Sequence, residues 1–217
     1  MSDWTAFYDA VAQRPPHETL VRALDLFAAD GERSRFAVDL GCGDGRDTVE
    51  ILRRRWRVLA IDAEAEAIRR LRSRPDLPDG AAPRLRAEVA RFEDAAWPPA
   101  DLVNASFSLP FCPPAHFRGV WERVVASILP GGRFSGQLFG ERDEWANEKD
   151  MTFHSRREVE ELLRDLEVEC LDELEEDGTT ALGDRKRWHV FHIVARAGTV
   201  AAGRQAAVYG GVAAATP

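Results

Sequence analysis

The stretch "VDLGCGDGRDT", Val38–Thr48, places three glycines and three aspartates in eleven positions. An apolar run, Phe36–Leu40, precedes the glycines and reads as a short buried strand; Val49, Ile51 and Leu52 follow them at helical spacing. Glycines between a strand and a helix let the backbone turn sharply and approach a ligand, while the helix offers free N–H groups. Outward from this unit the alternation continues. Val58–Ile61 ends at Asp62, and Ala65, Ile68 and Leu71 form a helical face that Pro75 breaks. Strands are expected at Leu85–Val89, Leu102–Ser106 and Arg133–Phe139, the last after a turn "LPGG", with a helix over Ala115–Leu129. Such alternation predicts a parallel sheet with helices on both faces. Upstream, Leu20, Val21, Leu24 and Phe27 make an amphipathic helix between Pro15-Pro16 and Gly31. Downstream, a helix near Ser155–Leu166 precedes strand-like runs Glu167–Leu174 and Trp188–Ala195, whose spacer "EEDGTTALGDRKR" suits a hairpin better than a crossover helix.

The 217 residues suffice for one sizeable core. A net charge of −8 disfavours a nucleic-acid partner, which needs a basic face. Cys42, Cys112 and Cys170 form no CxxC pair, so neither a disulfide framework nor a metal site is expected. Met1–Pro16 lacks the apolar core of an export signal, and no run approaches the ~20 apolar residues of a membrane span. A cytoplasmic protein without membrane or nucleic-acid partners is expected, its oligomeric state open. The Ala/Gly-rich residues 198–217 read as a disordered tail. Glu158–Asp177 holds eleven acids and one base, and reads as a solvated face.

The acids decide which ligand suits the turn. A dinucleotide fingerprint is G-x-G-x-x-G, whereas this turn is G-C-G-D-G, with Asp39 and Asp44 beside it. A phosphate charge about 6 Å from Asp39 would meet about 3 kcal/mol of repulsion at an effective dielectric of ~20, roughly a hundredfold in affinity. A ligand with an ammonium and a sulfonium, and only a carboxylate to place on the helix N-terminus, avoids that cost; S-adenosylmethionine is such a ligand. Asp62, seventeen residues after Gly45, can accept both hydroxyls of a ribose, as it would for NAD, or simply cap the next helix. Asp47 suits the first turn of its helix through the dipole alone.

The chain resembles the class I S-adenosylmethionine-dependent methyltransferases, and within them the small bacterial tellurite-resistance-like methyltransferases. "VDLGCGDGRDT", "WRVLAID", "SFSLPFCPPAHF", "ILPGGRFSGQLFG" and "KRWHVFHIVAR" carry the likeness, over about residues 4–197. The resemblance implies a methyltransferase domain over 1–197, with 1–30 as a helical lid segment. It also implies an α/β fold: a Rossmann-like, seven-stranded, mostly parallel sheet with a terminal antiparallel strand and helices on both faces. It implies that Asp39, Gly41, Cys42, Gly43 and Gly45 hold the methionine part of the cofactor, Asp62 the ribose, and Phe92 with Glu93 the adenine. Ala105 and Ser106 would flank the sulfonium, and Trp4, Phe7 and Tyr8 would close the site.

Phe107, Phe111, Cys112 and His116 follow the fourth strand, at the carboxyl edge where open α/β sheets bind ligands. Cys112 reads as a buried, inert thiol, and His116 as an exposed helix residue. Trp145, His154, Arg185, Trp188 and His189 fall in the loops and hairpin that would cover a substrate. The expected acceptor is small: a thiol, a selenium or tellurium oxyanion, or another metabolite. In-line methyl transfer to a soft nucleophile needs positioning more than a base. For an oxygen or nitrogen acceptor, His154, His189 or Tyr8 would take the proton. The alternatives are an NAD(P)-dependent oxidoreductase and a non-catalytic cofactor-binding sensor or partner protein.

Overall fold

The computed structural model describes residues 4–12, 14–31 and 33–199. The tail expectation therefore lies, beyond residue 199, outside the described residues. Two helices lead, α1 (Trp4–Val11) and α2 (Glu18–Ala29). Next come β1 (Phe36–Leu40), α3 (Arg46–Arg53), β2 (Arg57–Asp62), α4 (Ala65–Arg72), β3 (Leu85–Val89), β4 (Ala100–Ala105) and α5 (Pro114–Ser127). The chain continues through β5 (Ile128–Gly140), β6 (Phe153–His154), α6 (Arg156–Leu162), β7 (Leu166–Thr179) and β8 (Arg185–Ala197).

These strands form one sheet in the order β3-β2-β1-β4-β5-β8-β7, parallel from β3 to β5. The last strand, β8, runs antiparallel to both neighbours, as the terminal hairpin predicts. An eighth strand, the two-residue β6, pairs with the end of β5. The hairpin is longer than its sequence suggests: both strands continue through most of the charged spacer, and residues 180–184 alone make the turn, closed by the Thr180 N–H on the Asp184 carbonyl. Polar residues extend a two-stranded ribbon readily because its faces can stay solvated.

Period-2 alternation sorts the strands' side chains onto two apolar layers. Val38, Val103, Phe134 and Phe191 pack with α5 and α6 on one face, and Ala37, Leu102, Val58 and Val194 pack with α2 and α3 on the other. Leu20, Ala23, Leu24 and Phe27 of α2 are buried, so α2 belongs to the core. This corrects the expectation of a lid over 1–30: among the described residues of that segment α1 lies over the glycine turn, through Tyr8 against Gly43, and α2 does not. Among the described residues no helix is long and apolar enough to cross a membrane.

Candidate active site

The glycine turn joins β1 to α3 at the carboxyl edge of the sheet. Gly45 caps α3 with φ at +92°, and a Cβ there would lie 2.2 Å from Leu71 Cδ1. Gly41 has φ at +67°, and its Cβ would meet Ser108 Cβ at 2.3 Å and Phe92 Cζ at 3.3 Å. Both positions therefore demand glycine by backbone and by space. The same contacts place Phe92 and Ser108 against the turn.

Asp39 is 2% exposed and accepts from Thr48 Oγ1 at 2.5 Å and Asn104 Nδ2 at 2.9 Å. The Asn104 amide also reaches Asp47 Oδ2, at 3.2 Å, and so couples two buried carboxylates. Burial, with the neighbouring charge of Asp47, pushes the Asp39 carboxyl up to about 7. Asp47 moves the other way: burial opposes its charge, but hydrogen bonds from His17 outweigh that and hold it below the usual range. His17 contributes its backbone N–H to Asp47 Oδ1 at 3.0 Å and Nδ1 to Oδ2 at 3.1 Å. Asp47 is thus more than a helix-dipole residue, because its side chain anchors the loop before α2. Burial also raises Asp44, which Arg74 pairs at 3.1 Å.

Asp62 ends β2 beside the turn. Its Oδ2 accepts the Gly43 N–H at 2.8 Å and its Oδ1 the Glu64 N–H at 2.9 Å, leaving a lone pair on each oxygen. Tyr8 of α1 covers Gly43, its ring 3.4 Å from where a Cβ would be. Burial and the nearby Asp62 and Glu64 push the Tyr8 hydroxyl far above the usual phenol range. Trp4, one turn earlier, lies 5.2 Å from the Phe111 ring, so α1 bridges the turn and the residues after β4.

That second region is aromatic. Phe107, Phe139 and Trp188 lie edge to face at 5.8–6.5 Å, Trp145 is 5.7 Å from Trp188, and Phe111 is 6.4 Å from Phe139. Phe107 has φ at +51°, a strained conformation for a bulky residue, and the Gln137 side chain holds it by accepting its N–H at 3.0 Å. Gln137 is fixed in turn by donating to Thr19 Oγ1 at 2.8 Å.

Several expectations need correction. Arg185 is exposed beside the hairpin turn, and the cation that enters the aromatic cluster is Lys186, 3.6 Å from the Trp188 ring and 2.5 Å from Asp143. Strand alternation puts Lys186 and Trp188 on one face, a signal legible in the sequence. His189 points to the opposite face, fully buried, paired with Glu173 at 2.9 Å and filling the space that a Gly140 Cβ would occupy. His154 is buried against Phe117 of α5, 4.6 Å between rings. His189 is thus committed to Glu173, while His154 Nε2 is buried without a hydrogen-bond partner among the described residues. Ala105 is fully buried in the α5 layer, while Ser106 donates to Asn104 Oδ1 at 3.3 Å. Glu93 faces Arg91 at 3.8 Å, and its carbonyl accepts from Arg123. Cys42 and Cys112 are buried with raised thiol pKa values, that of Cys112 about 11, as inert thiols should be. Asn104, Gln137 and His17 escaped the sequence reading because each is defined by partners distant along the chain.

A methyl donor of the S-adenosylmethionine type fits these residues. Asp39 is a buried carboxyl held by the neutral Thr48 and Asn104 side chains, Asp62 keeps a free lone pair on each oxygen beside the turn, and Tyr8 packs over Gly43. A pyrophosphate would face Asp39, Asp44 and Asp62 together.

Comparison with known proteins agrees. A methyltransferase domain family matches residues 38–134. The trans-aconitate 2-methyltransferase of Afipia carboxidovorans is 33% identical over 145 residues, covering 64% of this chain and 51% of the relative. That of Acidovorax ebreus is 30% identical over 141 residues, covering 64% and 50%. The chain thus spans about half the length of the curated relatives it matches. Among solved structures, TehB from Haemophilus influenzae superposes with a TM-score of 0.71 at 16% identity, covering 88% of this chain and 65% of that one. The magnesium protoporphyrin IX methyltransferase of Synechocystis, solved with bound S-adenosylmethionine, gives 0.66 at 10% identity, covering 90% and 91%. Residues 38–134 thus resemble a methyltransferase domain, and the chain shares its fold with TehB and the Synechocystis enzyme.

Proposed function

We propose that this chain transfers the methyl group of S-adenosylmethionine to a small, flat organic acceptor. The observation that carries the reading is the aromatic wall of Phe107, Phe139 and Trp188 next to the acidic glycine turn, with α1 spanning both. Asp39 and the turn would hold the amino-acid end of the donor, Asp62 its ribose, and Phe92 the adenine side. The bound donor supplies an electrophilic methyl on a sulfonium. The chain's own contribution is orientation and exclusion of water: Gln137 locks Phe107 in its strained conformation, and the half-buried Phe107 and Trp188 rings, backed by the buried Phe139, would offer apolar surface to the acceptor. The wall's buried ammonium, Lys186, is committed to Asp143, so the surface suits a flat molecule better than a compact selenium or tellurium oxyanion. The trans-aconitate 2-methyltransferases, named for an unsaturated and therefore partly planar acid, are relatives with an acceptor of that shape.

The test is release of S-adenosylhomocysteine on incubation with a panel of unsaturated and aromatic acids, phenols, thiols, selenite and tellurite. Turnover confined to the flat organic members supports the reading. Turnover of the oxyanions alone refutes the acceptor class, and tight S-adenosylhomocysteine binding with silence across the panel favours a non-catalytic binder.

A further inference from the structure

Arg46, the first residue of α3, has a side chain only 16% exposed. Buried charges in proteins are ordinarily paired. Its guanidinium instead lies along the edge of the His17 imidazole, in contact with Nε2 and 2.8 Å from Nδ1. The nearest carboxylate oxygen paired with it among the described residues is Asp47 Oδ1, at the outer limit of 4.0 Å. Other acids nearby are already engaged: Asp44 by Arg74, Asp47 by His17 and Asn104, Asp39 by Thr48 and Asn104. With Nδ1 directed at Asp47, the imidazole offers a single lone pair to a fork of five donors. Arg14 adds a second positive charge nearby, set against the carboxylates of Asp47, Asp44 and Asp39.

The location has a meaning as well. The His17 ring lies 5.1 Å from that of Phe107, tilted by 37°, and Arg46 directly follows the glycine turn. The guanidinium therefore sits where the turn and the aromatic wall meet.

We propose that Arg46, oriented by the His17–Asp47 pair, is a carboxylate-binding site at that junction. Resting on the methyltransferase reading, it deepens it: a carboxylate there comes either from the amino-acid end of the donor or from the acceptor. A planar guanidinium recognises a carboxylate through paired N–H···O bonds, and displacement of its present contact with His17 leaves the imidazole held by Asp47.

Calorimetry on the full chain separates the sources. If the donor supplies the carboxylate, wild type binds S-adenosylhomocysteine about ten- to a hundredfold more tightly than its decarboxylated analogue, and Arg46→Gln erases that difference. If the acceptor supplies it, Arg46→Gln leaves S-adenosylhomocysteine affinity unchanged but loses binding of trans-aconitate or benzoate to the S-adenosylhomocysteine complex by a similar factor. Arg46→Lys keeps the charge but not the fork, and loses several-fold in whichever arm applies; it serves if Arg46→Gln does not fold. Equal affinity of wild type, Arg46→Gln and Arg46→Lys for all these ligands, with S-adenosylhomocysteine bound, overturns the carboxylate site alone. Failure of folded wild type to bind S-adenosylhomocysteine at all overturns the methyltransferase reading, and the site with it.

Discussion

Binding of the methyl donor should be coupled to loss of a proton from Asp39. The carboxyl group is 2% exposed and its pKa lies at about 7, raised by burial and by the charge of Asp47. It is therefore mostly neutral in acid and mostly ionised in mild base, and an ammonium needs the ionised form. With that midpoint about one tenth of the sites are ionised near pH 6 and about nine tenths near pH 8. Apparent affinity scales with the competent fraction, so S-adenosylhomocysteine should bind about tenfold more tightly at the higher pH. Titration calorimetry in buffers of different ionisation enthalpy should show nearly one proton released per ligand near pH 6 and almost none near pH 8. Asp39→Asn should remove both the slope and the proton, and weaken binding at pH 8. An affinity flat across this window, with no proton released, would refute the assignment; a slope that survives Asp39→Asn would place the titration on another group. The same shift has a stability sign. A carboxyl whose folded pKa is raised favours the folded apoprotein fully below about pH 4 and loses that contribution as pH rises through about 7, at most about 4 kcal/mol. Asp47, with its lowered pKa, acts oppositely: its contribution is present above the normal carboxylate range and is lost only in strong acid. Unfolding midpoints of the apoprotein should therefore fall from pH 5 to pH 8 less steeply in Asp39→Asn than in wild type.

Other perturbations follow from named contacts. Gly41→Ala forces a Cβ to within 2.3 Å of Ser108 at a positive φ, and should cost about 2 kcal/mol or more in denaturant unfolding and abolish S-adenosylhomocysteine binding. Lys186→Met leaves Asp143 buried without its cation, so a loss of about 3–5 kcal/mol is expected in the same assay. Trp188→Ala should raise the acceptor KM while S-adenosylhomocysteine affinity stays constant, because Trp188 contacts the wall and not the turn. His189→Gln should lower thermal stability and leave the pH–rate profile unchanged, since the ring is buried on the face away from the wall.

What was legible in the sequence has a common origin in local pattern. Alternating apolar runs and helical spacings predicted the parallel sheet and the closing antiparallel strand because strand and helix periods are written into consecutive residues. The glycine turn was legible for the same reason: close approach and positive φ leave few other residues possible. Asp39 and Asp62 could be placed beside that turn because each sits at or next to a strand end. Strand alternation would also have preferred Lys186 to Arg185, since Lys186 shares a face with Trp188.

The sequence by itself determined the sheet, the turn and the acidic character of the turn, all consequences of residues within a few positions of one another. Only the tertiary structure decided what surrounds them. Asn104 joins Asp39 to Asp47 from a neighbouring strand, Gln137 holds Phe107 from thirty residues away, and His17 meets Arg46 across the α2–α3 layer. His154 and His189 lie where sheet pleat and helix packing turn them away from the wall. Such partners are chosen by the packing of distant segments against one sheet, and no short-range pattern encodes them.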